Sequence, residues 1–224
     1  MSIRRSGVVV AAGLLSGLVS GAAHANIVTN GSLEHTGNHF VNTVAGYMTL
    51  GAGSTTIPGW TVAPGTTGSL VWARAVTDDG FSASDGNFFV DLTGLGANSP
   101  NGAIQQALSL TGGASYSFAI DLSTLNNGAA SVTVGSQTIA LVAGGSFSVA
   151  GTGWQSWTGS FIANPLELNP LLTVMNASAG TSIVFIDNIR VTGGPAGVPE
   201  PLTLALFGAG LVGAAVLRRR RTAA

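Results

Sequence analysis

One carboxylate in this sequence stands at a position that an ordinary strand would bury. Asp187 would share one face of a regular strand with four apolar residues, Ile183, Phe185, Ile189 and Val191. A buried carboxylate without partners costs several kcal/mol. We therefore expect compensation at Asp187 by a β-bulge, by backbone N–H donors or by a cation. Simple capping of a turn through hydrogen bonds is the alternative to a metal site.

Tryptophan offers a second kind of chemistry, because an exposed indole ring can stack on a sugar ring. The chain has four of them, Trp60, Trp72, Trp154 and Trp157. Core packing is the default for each, and we expect it at Trp60 and Trp72. Trp154 and Trp157 are three residues apart, so a strand directs them to opposite faces. They are the candidate carbohydrate-binding residues, with Trp157 favoured over Trp154.

Charge and residue usage exclude several functional classes. Between residues 26 and 198 stand two arginines and eight acidic residues, a net charge of −6. A domain with two cations cannot neutralise a run of phosphates, so nucleic acid is a poor partner. The chain has no lysine, which excludes a P-loop, and no Gly-x-Ser-x-Gly elbow. No catalytic set emerges. The sequence does not exclude a carboxylate pair for sugar hydrolysis, but nothing in it identifies one.

The elements that must position these residues are strands. Tyr116, Phe118, Ile120 and Leu122 alternate with small or polar residues, which predicts a half-buried strand. Further strands are predicted at 87–92, 104–110, 131–134, 138–142, 154–162 and 171–175. Glycine-rich breaks separate them, among them Gly144-Gly145. The chain has no cysteine, so no disulfide supports the domain. These patterns predict an all-β jelly-roll sandwich at 26–192, followed by a linker at 193–198.

The N-terminus has the pattern of a secretory signal peptide at 1–25. Arg4 and Arg5 precede an apolar stretch, and Ala23-His24-Ala25 supplies small residues for cleavage after Ala25. An uncleaved anchor is the alternative. The soluble domain is therefore expected outside the cytoplasm.

The C-terminus has the pattern of a single membrane span. Pro199-Glu200-Pro201 precedes the apolar run Leu202–Leu217, and four arginines follow, Arg218, Arg219, Arg220 and Arg221. The run would span roughly 24 Å as a helix, and snorkelling arginines can close the gap to the hydrocarbon thickness of about 30 Å. Basic residues stay on the cytoplasmic side.

This tail, 199–221, resembles the PEP-CTERM sorting tail of Gram-negative bacteria. The resemblance implies an exosortase as a partner, processing near Pro199-Glu200-Pro201, and a transient anchor in the inner membrane. It further implies a location in the cell envelope or an exopolysaccharide matrix such as a biofilm. A plain single-span anchor is the alternative.

The domain resembles galactose-binding-like jelly rolls of the choice-of-anchor C group and related carbohydrate-binding modules. Four segments in order carry this resemblance: 26–34, 57–62, 85–92 and 185–191. In such modules a structural calcium joins the glutamate of the first segment to the aspartate of the last. The resemblance thus implies a possible calcium site at Glu34 and Asp187.

Three functions remain open from the sequence. The first is a non-catalytic carbohydrate-binding module that adheres to exopolysaccharide. The second is a structural matrix or surface protein without a small ligand. The third is a carbohydrate-active enzyme.

Overall fold

The computed structural model describes residues 25–37, 39–41, 46–74, 80–149, 152–178 and 182–194. Their strands, in chain order, are β1 (Tyr47–Gly51), β2 (Thr61–Val62), β3 (Ser69–Arg74), β4 (Phe88–Asp91), β5 (Ala103–Ala107), β6 (Ser115–Leu125), β7 (Ala130–Val134), β8 (Gln137–Thr138), β9 (Val142–Val149), β10 (Thr152–Ile162), β11 (Leu171–Asn176) and β12 (Ile183–Gly193). A one-turn 3-10 helix at Leu95–Ala97 lies between β4 and β5.

The strands form a sandwich of two antiparallel sheets, which confirms the predicted fold class. Seven strands make the larger sheet in the order β1-β3-β4-β12-β6-β10-β9, and five make the smaller in the order β2-β5-β11-β7-β8. The strand β9 is therefore an edge of the larger sheet, and β8 is an edge of the smaller one.

Alternation along β6 explains how the larger sheet covers the core. Tyr116, Phe118, Ile120 and Leu122 are buried, while Ser115 and Ser117 are exposed. The buried residues meet the inner face of the smaller sheet, which supplies Ile104, Val132, Leu172 and Val174. Trp60 and Trp72 are buried in the same core, as the sequence predicts.

A second, smaller apolar cluster lies on the outer face of the larger sheet. It contains Val71, Ala73, Ala83, Phe89, Trp154 and Phe185. Ala83 belongs to no strand. The segment 80–87 therefore covers part of this outer face.

Two predictions about strands are wrong. The predicted strand 138–142 is divided, because the chain leaves the smaller sheet at Thr138 and enters the larger one at Val142. Gly144-Gly145 was expected to break a strand and instead lies within β9. The pairing with β10 shifts register here, because Ser146 pairs with Gln155 and Ala143 with Trp157, so the two glycines form a bulge within β9 and do not end it.

Candidate functional site

The strand β10 carries the two candidate tryptophans on opposite faces, as the sequence predicts. Trp157 pairs with Ile120 of the inner face. Trp154 belongs to the outer cluster, is 1% exposed and donates from its indole nitrogen to the carbonyl of Ser82 at 3.0 Å. Its ring packs edge-on against Phe89. The ring of Trp154 is therefore not available to stack on a sugar.

Trp157 lines an open cleft of about 650 Å³ between the two sheets. The ring is half-buried and packs against the main core. The cleft forms where the edge strands β9 and β8 leave the sandwich open, and its lining draws on β6, β7, β9 and β10. Of the two candidate tryptophans, the one favoured from the sequence is the one the structure leaves accessible.

The lining of this cleft is uncharged. Apolar walls come from residues such as Leu122, Val132, Ile139 and Leu141, and hydroxyl or amide groups come from Thr124, Ser131, Thr138, Ser146 and Gln155. Apolar walls with a few hydrogen-bonding groups are typical of small-molecule sites. The absence of charge in the lining favours a neutral, hydroxyl-rich ligand.

Asp187 lies on the outer face of the larger sheet and not in the main core. Asp187 pairs with Asp121, but Arg190 pairs with Ala119, so the strand holds one extra residue between them. Asn188 at this bulge has φ of 51°, a conformation that asparagine tolerates better than most residues. The bulge turns Ile189 and Val191 into the inner core. The expectation that they share a face with Asp187 is therefore wrong, whereas the expected bulge is present.

Hydrogen bonds from the segment 80–87 compensate the Asp187 carboxylate, which is 0% exposed. Its Oδ2 accepts the backbone N–H groups of Ser84 and Asp85, each at 2.9 Å. Its Oδ1 accepts the backbone N–H of Asn188 at 2.6 Å. Burial raises the pKa of Asp187 to about 7, although these hydrogen bonds act in the opposite direction.

Ser84 joins Asp187 to a second buried aspartate. The Ser84 hydroxyl oxygen lies 3.0 Å from Oδ2 of Asp187 and 3.0 Å from Oδ2 of Asp121. A hydroxyl has one hydrogen, so Ser84 donates to one of the two carboxyl groups at a time. Asp121 also accepts from Ser156 at 2.6 Å and from the Asn188 amide at 3.0 Å. Because Ser156 precedes Trp157, this network supports the strand that carries the cleft tryptophan.

Glu34 holds the other end of the same segment. Its Oε1 accepts the backbone N–H groups of Asn87 and Phe88, each at 2.7 Å. Gly86 permits this approach, since a Cβ there would lie 2.4 Å from the Glu34 carboxyl carbon. Glu34 and Asp187 thus bind neighbouring backbone N–H groups of one loop.

This arrangement does not fit a calcium ion between Glu34 and Asp187. Calcium needs about six to eight oxygen ligands. N–H donors already point at both oxygens of Asp187, and within the described ranges no group of three or more His, Cys, Asp or Glu side chains could hold a metal. The geometry favours compensation of the Asp187 carboxylate by hydrogen bonds. A calcium site stays a prediction.

A smaller pocket of about 380 Å³ lies on the outer face of the larger sheet. Its walls include Tyr47, Phe81, Phe89 and Phe185, and Asp91 lies among them. Burial raises the pKa of Asp91 to about 6, against hydrogen bonds from Thr93. Among the described residues of this lining, Asp91 is the one carboxylate. Sequence reasoning missed the pocket, because its walls come from five separate segments.

The motif residues of the opening segment have structural partners. The Asn26 side chain accepts the N–H of Val191 at 3.0 Å, and the Asn30 side chain donates to the carbonyl of Pro58 at 2.9 Å. Gly31 lies so close to the Ile189 carbonyl that a Cβ would overlap it. These contacts join the opening segment to the closing strand and explain the motif order without a ligand.

Most of the terminal predictions fall outside the described residues. These are the cleavage residue Ala23 and the tail residues Pro199, Glu200, Pro201, Arg218, Arg219, Arg220 and Arg221. The other cleavage residue, Ala25, is the first described residue and is exposed. In the part of the chain that the structure describes, no helix has the length and hydropathy needed to cross a membrane.

A comparison with protein families decides the nature of the tail. Residues 197–221 match the family model of the PEP-CTERM protein-sorting motif. The chain carries a PEP-CTERM sorting motif. This match confirms the resemblance stated from the sequence, and a protein with this motif is an exported one. Among curated proteins, none matches this sequence.

Comparison with solved structures finds carbohydrate-binding modules. The CBM22-1 xylan-binding domain from Paenibacillus barcinonensis Xyn10C has a TM-score of 0.40 and 14% identity, over 70% of this chain and 98% of that domain. The mannan-recognising module TmCBM27 also has a TM-score of 0.40 and 14% identity, over 66% of this chain and 99% of that module. The chain covers only 27% of a Clostridium thermocellum xylanase 10B structure with CBM22-1 and GH10 modules, at a TM-score of 0.39 and 16% identity. TM-scores this low do not identify a ligand, so the ligand has to be inferred from the chain's own residues.

Proposed function

We propose that this exported protein is a non-catalytic carbohydrate-binding module that adheres to a neutral polysaccharide of the cell envelope or extracellular matrix. The ligand lies in the cleft between the sheet edges, with the ring of Trp157 as the stacking surface. The half-buried Trp157 in an uncharged cleft of about 650 Å³ is the observation that carries this proposal.

The chemistry of the lining supports a sugar. A pyranose ring offers an apolar C–H face and a rim of hydroxyl groups. The cleft offers an indole face together with the Ser146 hydroxyl and the Gln155 amide. Stacking on an aromatic ring with a few hydrogen bonds is a common way to bind a neutral sugar.

The test compares binding of a panel of neutral and acidic polysaccharides, measured by array and then by calorimetry on the best ligand. Trp157→Ala should weaken binding roughly ten- to a hundredfold, which is the usual value of one buried aromatic contact. Trp157→Phe keeps most of the core packing and should give an intermediate loss. Trp72→Phe is the matched control, since it alters a fully buried tryptophan that does not line the cleft and should leave affinity unchanged.

The outcome also separates the other functions. Failure of every tested polysaccharide to bind would favour a structural matrix protein. Conversion of a glycan would favour an enzyme. We do not propose an enzyme, because sugar hydrolysis uses a carboxylate pair that reaches the substrate. Among the described residues, Asp121 and Asp187 are buried, and Asp91 stands without a second carboxylate in its pocket.

Delivery to this place follows from the two ends of the chain. The signal peptide at 1–25 directs export, and the tail at 199–221 holds the domain at the inner membrane until an exosortase processes it near Pro199-Glu200-Pro201. Its match to the sorting motif supports this route. Cells that lack the exosortase should accumulate a longer, membrane-bound form, detected by gel mobility and fractionation. An unchanged mobility and a soluble product in those cells would contradict this route.

A further inference from the structure

The loop between β10 and β11, residues 163–170, exposes two leucines almost completely. We call it the leucine loop. Leu166 is 89% exposed and Leu168 is 91% exposed, the highest values among the large hydrophobic side chains that the structure describes. Scattered apolar side chains are normal on a surface. Two leucines in one short loop, both about nine-tenths exposed, instead indicate a surface that contacts a partner.

Hydrogen bonds hold this loop in shape. The Asn164 side chain accepts the N–H of Leu166 at 3.0 Å, and the Asn164 carbonyl accepts the N–H of Glu167 at 3.1 Å. The Glu167 carboxylate accepts the N–H of Ser136 at 3.1 Å, on the β7–β8 turn. Glu167, the one charged residue of the loop, is thereby tied back to the sandwich while the leucines on either side of it remain outside.

The leucine loop lies at the end of the sandwich where the chain leaves for the sorting tail. Ala163 donates to the carbonyl of Ala114 at 2.9 Å. Gly194, the last described residue, donates to the carbonyl of Ser115, which follows Ala114 in the chain, at 3.1 Å. The start of the loop and the exit of the chain therefore attach to neighbouring residues at the start of β6.

The length of the connection keeps this end close to the membrane. Seven residues, 195–201, separate Gly194 from the apolar run that begins at Leu202. Fully extended they span about 25 Å at most. Most of the cleft lies away from this end, because it is lined by Leu122 and Thr124 of β6 and by Gly153 of β10, whereas Ser115 and Ile162 mark the other ends of these strands. Its part nearest to the leucine loop is Thr138 of β8.

We infer that Leu166 and Leu168 insert into the interface of the lipid bilayer that anchors the sorting tail, so that the domain stands with its leucine loop against the membrane and its cleft away from it. This inference rests on the proposed anchoring by the tail. Each leucine that enters the bilayer favours the contact roughly ten- to a hundredfold. Two leucines alone give a weak association, and the tail raises their effective concentration at the lipid surface.

The test uses the full chain in phosphatidylcholine nanodiscs that hold one copy each. Since the chain has no cysteine, Leu168→Cys provides a single site for a spin label. Ser148→Cys, exposed on β9, provides the control at the other end. We expect oxygen dissolved in the lipid to reach the label at 168. We also expect that label to be at least threefold better protected from an aqueous nickel complex than the label at 148.

Two further variants make the result specific. Leu166→Ser in the Leu168→Cys background should reduce this protection at least twofold. Val142→Ser removes another exposed apolar side chain, 65% exposed on β9, and should leave the protection unchanged. Equal access of the nickel complex to both labels in anchored protein would overturn the inference, and so would protection that appears only when two copies share a disc. Failure of the chain to enter nanodiscs at all would instead contradict the proposed anchoring.

Discussion

Trp157 and the leucine loop both present apolar surface to the outside, but they do so in opposite ways. Trp157 lies half-buried in a concave cleft whose rim carries hydroxyl and amide groups. Leu166 and Leu168 stand on a convex loop and are about nine-tenths exposed. A concave, partly polar surface can surround a single sugar chain, whereas a convex apolar one fits a soft, continuous phase such as lipid. The difference shows that shape and polar surroundings, more than hydrophobicity, decide what an exposed apolar residue can bind.

The largest expected difference concerns stability. Trp154→Ala removes a fully buried ring from behind the cleft strand and should lower the free energy of unfolding by about 3–5 kcal/mol. Leu168→Ser removes an exposed side chain and should change it by less than about 0.5 kcal/mol. Urea denaturation of both variants measures this contrast. A large loss for Leu168→Ser would mean that the leucine packs within the domain and does not await a membrane.

The second prediction is that pH acts on Asp187, on the outer face of the larger sheet, and not on the leucine loop. Because the folded-state pKa of Asp187 is about 7, above the ordinary 3.8, the folded chain binds this proton where the unfolded chain has lost it. The contribution of Asp187 to stability is therefore greatest below about pH 4 and is lost as the pH rises to about 7. Melting temperatures across this range should fall for the native chain.

Asp187→Asn is the variant that isolates this effect. Asparagine cannot titrate, so the pH slope between 6 and 7 should disappear, whereas Asp91, whose pKa is raised to about 6, should keep part of the slope between 4 and 6. It also turns one acceptor into a donor that faces the N–H groups of Ser84 and Asp85, which should cost about 1–3 kcal/mol at pH 5. Glu167→Gln in the leucine loop is the control and should leave that slope in place. A native slope retained in Asp187→Asn would contradict this assignment.

The third prediction tests whether the leucine loop is held as the structure indicates. Gly135 has φ of 56°, and a Cβ there would lie 1.7 Å from Glu167 Oε2. Gly135→Ala should therefore displace Glu167, cost roughly 1–2 kcal/mol and speed hydrogen exchange at Leu166 and Glu167. Gly53→Ala is the control, because Gly53 also has a positive φ of 77° but nothing within 4 Å of its Cβ. Equal exchange in the two variants would show that Glu167 does not hold the loop.

The smallest expected effect is that of calcium. Since N–H donors occupy both oxygens of Asp187, excess calcium over a chelator should shift the melting temperature by less than about 1 °C. A rise of several degrees that is lost in Glu34→Gln would restore the calcium site implied by the motif resemblance.

The sequence alone determined the features that depend on local pattern. Alternation between 115 and 122 predicted β6, because a period of two assigns each residue to a face. Basic and apolar blocks predicted the sorting tail, because such motifs are read as linear sequence. Trp60 and Trp72 were correctly predicted to lie in the core.

Only the tertiary structure decided what covers each face. The bulge at Asn188 reverses the side on which Ile189 and Val191 lie, and one extra residue in a strand leaves no mark on its hydrophobic pattern. The burial of Asp187 depends on Ser84, more than a hundred residues earlier in the chain. The cleft beside Trp157 exists because β8 and β9 are both sheet edges, and edges are set by the order of strands in space, which local periodicity does not encode.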